Sequence, residues 1–435
     1  MPASLARSRP PPRPRLWSVT TSAASPRDGA TLVARSVLVD DLGSLVSLLP
    51  AEAPLAWLHR GDGLVAWGET ARFESSGPDR FLAAERWWLD GAAHCVVRDE
   101  AELPGSGLVA FGSFAYADSP GHSIMVVPEI VVGRRGDVTW VTTFSRGAVP
   151  PAPLLRGSET PDTAQGAVFS DGAMSGAAWQ TVVAEAVARI RAGKLEKVVL
   201  ARDQVVDLDA PLDVRAPLTQ LADRYPSCWS FSVDGLFGAT PELLVRRERG
   251  LVTSRVLAGT IRRTGDDEHD LTLAATLARS SKDLEEHEHA VRSVADALAP
   301  YCFSMNVPES PFVLHLPNVM HLATDVTGVL ADGTSSLGLA AALHPSAAVG
   351  GTPTAAAVTL IAEIEQMDRG RYAGPVGWMD ARGDGEWGIA LRCAEYDGSR
   401  LRLFAGCGIV ADSDPAAELA ESAAKFVPVR DSLTP

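Results

Sequence analysis

Short runs rich in valine, isoleucine and aromatic residues recur along this chain, and glycine, proline or aspartate separates them. This pattern is typical of β-strands joined by turns. The N-terminal part follows it most closely, with runs at 64–67, 108–116, 124–132 and 138–144. We therefore predict that residues 28–146 form a β-rich portion of the fold.

Helical patterns are concentrated in the second half, within residues 176–430. Apolar residues from Trp179 to Ile190 have the three- and four-residue spacing of an amphipathic helix, which Gly193 ends. A second helix is predicted at 282–298. A last helix is predicted from Pro415 to Lys425, because proline is favoured just inside a helix start.

Strands alternate with these helices, and one long segment has no pattern. Residues 147–175 are rich in proline, glycine, serine and threonine, which indicates an exposed connection. Further strands are predicted at 196–208, 377–380, 386–396 and 402–410, the last leading into a glycine-rich turn at 405–408. Strands in both halves, with most helices in the second, predict a layered α/β fold with large sheets.

The charge of the chain excludes several classes of partner. Its 435 residues carry 39 basic and 54 acidic side chains, a net charge of −15. Such a field repels phosphate backbones and anionic membranes, so we expect no nucleic acid and no membrane partner. No run approaches the length of a transmembrane helix. The five cysteines form no CxxC pair, which suits reduced thiols in the cytoplasm.

The first residues are expected to lie outside the fold. Residues 1–15 contain five prolines and four arginines but no acidic residue. The prolines exclude the amphipathic helix of a mitochondrial transit peptide, and no apolar core of a secretion signal follows. We predict a disordered tail at residues 1–27.

Two ionisable residues adjoin apolar strands. Lys197 begins the apolar run KVVLAR, and Glu242 lies in FGATPELL. Each is either a solvated charge at a strand end or a buried group with a shifted pKa. Burial would favour a neutral lysine, suited to a general base, and a protonated glutamate, suited to a general acid.

A second set of charged residues can likewise be interpreted either as surface charges or as functional groups. The EEHEH run at 285–289 is not an HExxH zinc motif, and its carboxylates suit a hard cation better. Glu421 and Lys425 share one helix face, either as a surface ion pair or as ligands for a metal and an anion. Arg392 is either a surface charge or a clamp for a carboxylate.

Ten motifs taken in order resemble the chorismate-utilising enzymes. This family includes isochorismate synthases, salicylate synthases, component I of anthranilate synthase and aminodeoxychorismate synthase. The resemblance is strong from about Trp179 to Phe426, and it implies one large domain with two antiparallel-rich sheets sandwiched between helices. The motifs are KVVLAR, FGATPELL, RVLAGT, KDLEEH, MHLAT, LHPSAAVGGTP, GPVGWMD, GEWGIALRCA, FAGCGIV and ELAESAAK.

The resemblance implies a role for each matching residue. Lys197 matches the lysine that activates water, and Glu242 the acid that protonates the departing hydroxyl. Glu286 and Glu421 match ligands of Mg²⁺, and Glu418 a carboxylate that reaches the ion through water. The substrate-binding positions are Gly259, Thr260, His321, Ala348, Tyr372, Arg392, Gly406 and Lys425. The remaining members of the EEHEH run, Glu285, His287, Glu288 and His289, are expected to be structural.

The nucleophile distinguishes the branches of the family. Aminodeoxychorismate synthases typically have a lysine where this chain has Ala258, and anthranilate synthases lack the lysine matched by Lys197. Ala348 resembles isochorismate synthases, because salicylate synthases tend towards a hydroxyl residue there, although Tyr372 points the other way. We therefore expect an Mg²⁺-dependent isomerase that converts chorismate to isochorismate for menaquinone or siderophore synthesis.

Other readings stay open at this point. A salicylate synthase would go on to eliminate pyruvate, and a chorismate-binding scaffold would catalyse nothing. Since water is the expected nucleophile, no amidotransferase partner is needed. We expect a monomer.

Overall fold

Two β-sheets lie face to face, and strands from both halves of the chain enter each of them. The computed structural model describes residues 31–434 except 152, 154, 156 and 399, so the predicted tail at 1–27 lies outside the described residues. The strands are β1 (Leu32–Val39), β2 (Leu55–His59), β3 (Asp62–Trp67), β4 (Ala71–Ser75), β5 (Cys95–Asp99), β6 (Val109–Ser113), β7 (Ser123–Val127), β8 (Ile130–Arg135), β9 (Val138–Arg146), β10 (Val168–Asp171), β11 (Lys197–Asp207), β12 (Trp229–Val233), β13 (Leu236–Thr240), β14 (Leu243–Glu248), β15 (Leu251–Arg262), β16 (Cys302–Asn306), β17 (Phe312–His315), β18 (Val319–Leu330), β19 (Gly351–Thr352), β20 (Pro375–Asp380), β21 (Gly385–Ile389), β22 (Cys393–Tyr396) and β23 (Leu401–Ile409).

Hydrogen bonding sorts the described strands into sheets of 13 and 10 strands. The first sheet runs β10-β11-β23-β22-β13-β12-β2-β3-β8-β9-β1-β5, with β19 beside β11. The second runs β16-β18-β15-β14-β21-β20-β6-β7-β4, with β17 beside β18. Neighbouring strands are antiparallel apart from the parallel pair β1 and β5. The architecture confirms the predicted α/β class with two large antiparallel-rich sheets.

Helices cover the outer faces of both sheets. Among the described residues there are eight α-helices, of which α2, α3, α7 and α8 contact the first sheet and the other four contact the second. Their bounds are α1 (Arg80–Ala93), α2 (Gly176–Arg191), α3 (Arg215–Arg224), α4 (Asp267–Arg279), α5 (Ser281–Leu298), α6 (Ser336–Leu343), α7 (Thr354–Ile364) and α8 (Pro415–Ser432). Within the described part of the chain, no helix is both long and apolar enough to cross a membrane.

The inner faces of the sheets meet through large aromatic side chains. Trp57 and Phe231 of the first sheet and Trp378 and Trp387 of the second are almost fully buried in one apolar cluster. The indole N–H of Trp57 donates to the Glu386 carboxylate of the second sheet at 3.0 Å. Burial on this scale fixes how the sheets are stacked, and therefore where their strand ends meet.

Two predicted strands are wrong because each is in fact two strands in different sheets. The run at 124–132 divides into β7 of the second sheet and β8 of the first. The run at 386–396 divides into β21 and β22, with Arg392 between them at a φ of 48°. All four of these strands are largely buried, so the apolar pattern of the sequence does not show where the chain passes from one sheet to the other.

Other expectations need smaller corrections. The glycine-rich turn at 405–408 is wrong, because these residues belong to β23 and pair with β11. The last helix continues past Lys425 to Ser432, since Phe426 and Val429 are buried in an apolar cluster beside the first sheet. The segment at 147–175 contains β10, and the β-rich N-terminal part contains α1.

Candidate active site

One cavity of about 410 Å³ collects every residue that the sequence singled out for a role. Strands of both sheets and the helices α5 and α8 contribute to its wall. The thirteen residues come from ten separate stretches of sequence, so only the fold brings them together. They are Lys197, Glu242, Gly259, Thr260, Glu286, His321, Ala348, Tyr372, Arg392, Gly406, Glu418, Glu421 and Lys425.

Lys197 is the first residue of β11, and its side chain enters the cavity. Its ammonium group donates to Glu286 of α5 at 2.6 Å, and only 16% of the side chain is exposed. Gly408 on the neighbouring strand leaves room for it, because a Cβ there would lie 2.8 Å from the lysine Cε. The alternative of a solvated lysine at a strand end is therefore wrong.

Glu242 lies between β13 and β14, where the chain passes from the first sheet to the second. It is buried, so the alternative of an exposed glutamate is also wrong. Burial raises its pKa from 4.5 to about 8, and the positive charges of Lys197 and Arg392 oppose that rise only in part. The carboxyl group is thus protonated at neutral pH and can donate a proton.

The first turns of α8 place two carboxylates and an ammonium beside each other. Asp414 caps the helix by accepting from the N–H groups of Ala416 and Ala417. Lys425 donates to Glu421 at 2.7 Å and to the Gly406 carbonyl at 2.8 Å. With 13% of the lysine side chain exposed, this pair lines a cavity and is not a solvated surface ion pair.

The pKa values of the two carboxylates of α8 are shifted in opposite directions. Burial alone would raise the pKa of Glu421, but Lys425 holds it below its ordinary value. Burial raises the pKa of Glu418, and the negative charge of Glu421 adds to that rise. The Ser413 hydroxyl donates to Glu418 at 2.7 Å and fixes one of its oxygens.

The donor set fits a hard divalent cation. Glu286, Glu418 and Glu421 all line the cavity, and carboxylate oxygens are ligands that Mg²⁺ accepts. Glu286 and Glu421 each already face a positive charge, the ammonium of a lysine. The Cys407 sulfur lies within 4.8 Å of oxygens of Glu418 and Glu421, but burial raises its pKa to about 12. Cys407 therefore supplies a neutral thiol and not a thiolate near pH 7.

On another wall, a buried histidine faces the cavity. His321 Nδ1 lies 2.9 Å from the Thr260 hydroxyl, whereas Nε2 is buried and has no hydrogen-bond partner among the described residues. Burial, and after it the charges of Arg392 and Lys425, lowers the pKa of His321 to about 3. The ring is therefore neutral, and Nε2 is free to bind a ligand. Gly259, beside Thr260, has a φ of 75°, which favours glycine.

Small and aromatic residues complete the wall. Tyr372 stacks on Phe404 with ring centroids 5.1 Å apart. A Cβ at Gly406 would lie 3.0 Å from the Tyr372 hydroxyl, so glycine lets the two approach. Ala348 adds only a methyl group and leaves space in front of it.

Sequence reasoning missed several residues of the cavity wall. Asp283, Arg369 and Ser413 line it, but none was singled out. The position of Ser413 beside the Asp414-Pro415 helix start is a signal that could have revealed it, whereas no local sequence pattern points to Arg369.

The members of the EEHEH run lie in different surroundings. Only Glu286 lines the cavity, whereas Glu285, Glu288 and His289 are exposed. His287 is buried, and its Nε2 lies 2.8 Å from the Thr324 hydroxyl of β18. This contact joins α5 to the second sheet.

A proton donor, a lysine, clustered carboxylates and cationic side chains in one cavity are features typical of an enzyme site that binds a small anionic molecule. Residues 154–434 match the family model described as chorismate binding enzyme. The chain therefore belongs to the chorismate binding enzymes, which confirms the resemblance inferred from its motifs.

Within this family, the chain is similar to the following three proteins. The MenF protein of Mycobacterium tuberculosis is 43% identical over 255 residues, which are 55% of this chain and 68% of that protein. The isochorismate synthase DhbC of Bacillus subtilis is 42% identical over 256 residues, which are 56% of this chain and 64% of that protein. The solved structure of MenF, the menaquinone-specific isochorismate synthase from Escherichia coli, has a TM-score of 0.76 at 25% identity and covers 93% of this chain and 95% of its own.

Proposed function

We propose that this chain is an isochorismate synthase, an isomerase that converts chorismate to isochorismate. The observation that carries the proposal is that Lys197 and the buried acid Glu242 line one cavity together with further carboxylates and cationic groups. Relatives named isochorismate synthase support the same activity.

In this reaction water adds at C2 of chorismate and the C4 hydroxyl leaves. For this step Lys197 must act as a neutral amine and not as the ammonium that donates to Glu286: it takes the proton from water as the water attacks C2, and the ring double bonds shift. Glu242 gives its proton to the departing C4 hydroxyl, so one water enters and one leaves. Two separate groups are needed because the two proton transfers occur at different carbons.

Binding requires positive charge within the cavity, because chorismate is a dianion and the protein as a whole carries a net charge of −15. Arg392 and Lys425 supply two positive charges in the cavity. Glu286 and Glu421 would hold Mg²⁺, with Glu418 reaching it through water. When bound, the ion offsets the negative charge of a substrate carboxylate.

The remaining substrate-binding positions orient the ring of the substrate. Gly259 and Thr260 lie beside a substrate carboxylate, and Gly406 and Tyr372 bound the other end of the ligand. His321 would face the ring with Nε2, which has no partner among the described residues. Since His321 is neutral, it orients the substrate without adding charge.

The salicylate synthase alternative rests on Tyr372, and the absence of a hydroxyl at Ala348 disfavours it. Both a menaquinone and a siderophore pathway consume isochorismate, so the site chemistry is the same for either. A scaffold without activity is disfavoured because Lys197 and Glu242 are both in place beside the carboxylates.

Chromatography of the products tests the proposal. Purified protein with chorismate and Mg²⁺ should form isochorismate, and the same mixture should result from either compound. Accumulation of salicylate with pyruvate would assign the salicylate synthase reaction instead. Anthranilate formed from ammonium chloride at a comparable rate would overturn the role given to Lys197.

A further inference from the structure

β11 has an interrupted edge just beyond Lys197. Its opposite edge pairs with β23 along residues 198–206. The interrupted edge, which faces away from β23, pairs with β19 only at Lys197 and Val198 and with β10 only from Gln204 onward, within the described residues. Between these short partners, the peptide groups of Val199 and Ala201 must be satisfied by something other than a regular strand.

A buried ion pair fills much of this gap. Arg369 donates to the Val199 carbonyl at 2.7 Å, and Glu365 accepts from the Ala201 N–H at 2.8 Å. The two side chains bond each other through two contacts of 2.7 Å and are 3% and 1% exposed. Trp179 completes the edge by donating to the Ala201 carbonyl at 3.0 Å.

Arg369 also contacts two other parts of the cavity wall. Its second terminal nitrogen donates to the Val349 carbonyl at 2.9 Å, next to Ala348. Its own carbonyl accepts from the Tyr372 N–H at 3.0 Å. The guanidinium group lies 4.2 Å from the centre of the Tyr116 ring. Two wall segments that are distant in sequence, at Val199 and Val349, therefore meet at the Arg369 side chain.

We propose that Arg369, held by Glu365, is a positioning residue that fixes Lys197 relative to the Ala348–Val349 wall. A guanidinium fork can bond Val199, Val349 and Glu365 at once, whereas the single ammonium of a lysine cannot match that planar geometry. The inference rests on the proposed function, because it takes Lys197 to be the group that acts on water.

Arg371 supplies a matched control two residues away. It is similarly buried, bonds Glu395 at 2.7 and 2.9 Å, and donates to the Asp234 carbonyl at 2.8 Å. It is not among the described residues that line the cavity. Arg369→Lys and Arg371→Lys therefore make the same chemical change at comparable burial.

The test compares kcat, KM and melting temperature of the full chain with chorismate and Mg²⁺. We expect Arg369→Lys to lower kcat by about 10- to 100-fold with KM changed less than about 3-fold, because small misplacements of a reacting group cost this much. Arg371→Lys should lower the melting temperature but leave kcat unchanged.

A double variant separates positioning from general damage. If Arg369 acts through Lys197, then Lys197→Ala/Arg369→Lys should have the kcat of Lys197→Ala alone. Independent losses that multiply, or equal kcat for the two arginine variants, would overturn the proposal. If Arg369→Lys does not fold, Glu365→Gln takes its place under the same criteria. Wild-type protein that forms no isochorismate would instead refute the proposed function.

Discussion

Replacing Glu242 by glutamine should stabilise the protein while it removes activity. The carboxyl group has a pKa of about 8 in the fold, against an ordinary value of 4.5, because burial disfavours its charged form. Between these values the folded state binds more protons than the unfolded state. The free energy of unfolding therefore falls as pH rises through this window, and the loss is complete above about pH 8.

The size of the effect follows from the shift. Each pKa unit corresponds to about 1.4 kcal/mol. Relative to an uncharged side chain of the same shape, the Glu242 carboxyl group therefore lowers the free energy of unfolding by about 3 kcal/mol at pH 7 and by about 5 kcal/mol above pH 8. Glutamine keeps the shape and carries no charge at any pH. Glu242→Gln should thus be more stable than wild type by about 3 kcal/mol at pH 7, and by close to nothing at about pH 4.5.

Urea unfolding at several pH values, with EDTA and without substrate, measures the difference. Glu386→Gln is a matched control, because Glu386 is also buried but contacts Arg246 and accepts from the Trp57 N–H. Burial alone would raise the pKa of Glu386, yet these partners hold it below its ordinary value. That variant should be destabilised. A Glu242→Gln difference that does not grow from about pH 4.5 to about pH 8 would show that the pKa of Glu242 is not raised in the fold.

Further predictions concern the reaction. Lys197→Ala and Glu242→Gln should each lower kcat by about 100-fold or more with little change in KM, since general acid–base assistance is typically worth about 10²–10⁴-fold; normal turnover of either variant would contradict its role. In wild type, kcat/KM should fall above about pH 8 as Glu242 loses its proton, as a pH–rate profile will reveal. Glu421→Gln should weaken both Mg²⁺ and chorismate binding in calorimetry, whereas Lys425→Ala should weaken mainly chorismate binding; an unchanged Glu421→Gln isotherm would reject the metal assignment. EDTA should abolish turnover and Mg²⁺ should restore it, with Zn²⁺ a poor substitute because the expected ligands are carboxylates.

Local patterns predicted the fold correctly where a single run of residues forms a single helix or strand. The stripe from Trp179 to Ile190 became α2, and the run at 196–208 became β11. The patterns failed where the chain changes sheets, at Pro128 and at Arg392, because burial is similar on both sides of the crossing. They also failed where long-range packing extends an element, as at the end of α8.

The candidate site was predictable as a set of residues but not as a set of contacts. Motif resemblance gave the thirteen positions, and the fold gathers them in one cavity. The ion pair of Lys197 with Glu286 joins residues 89 positions apart, so no spacing in the sequence reveals it. Arg369 was missed for the same reason, because its partners Val199 and Val349 belong to distant segments.

The most direct test follows the oxygen atoms of the reaction. In the proposed reaction, Lys197 activates an external water for attack at C2 while Glu242 assists loss of the C4 hydroxyl. Chorismate turned over briefly in ¹⁸O-labelled water should therefore give isochorismate with one ¹⁸O atom at C2, as mass spectrometry will detect. Isochorismate that carries no label would contradict the account, because its hydroxyl would then have come from chorismate itself.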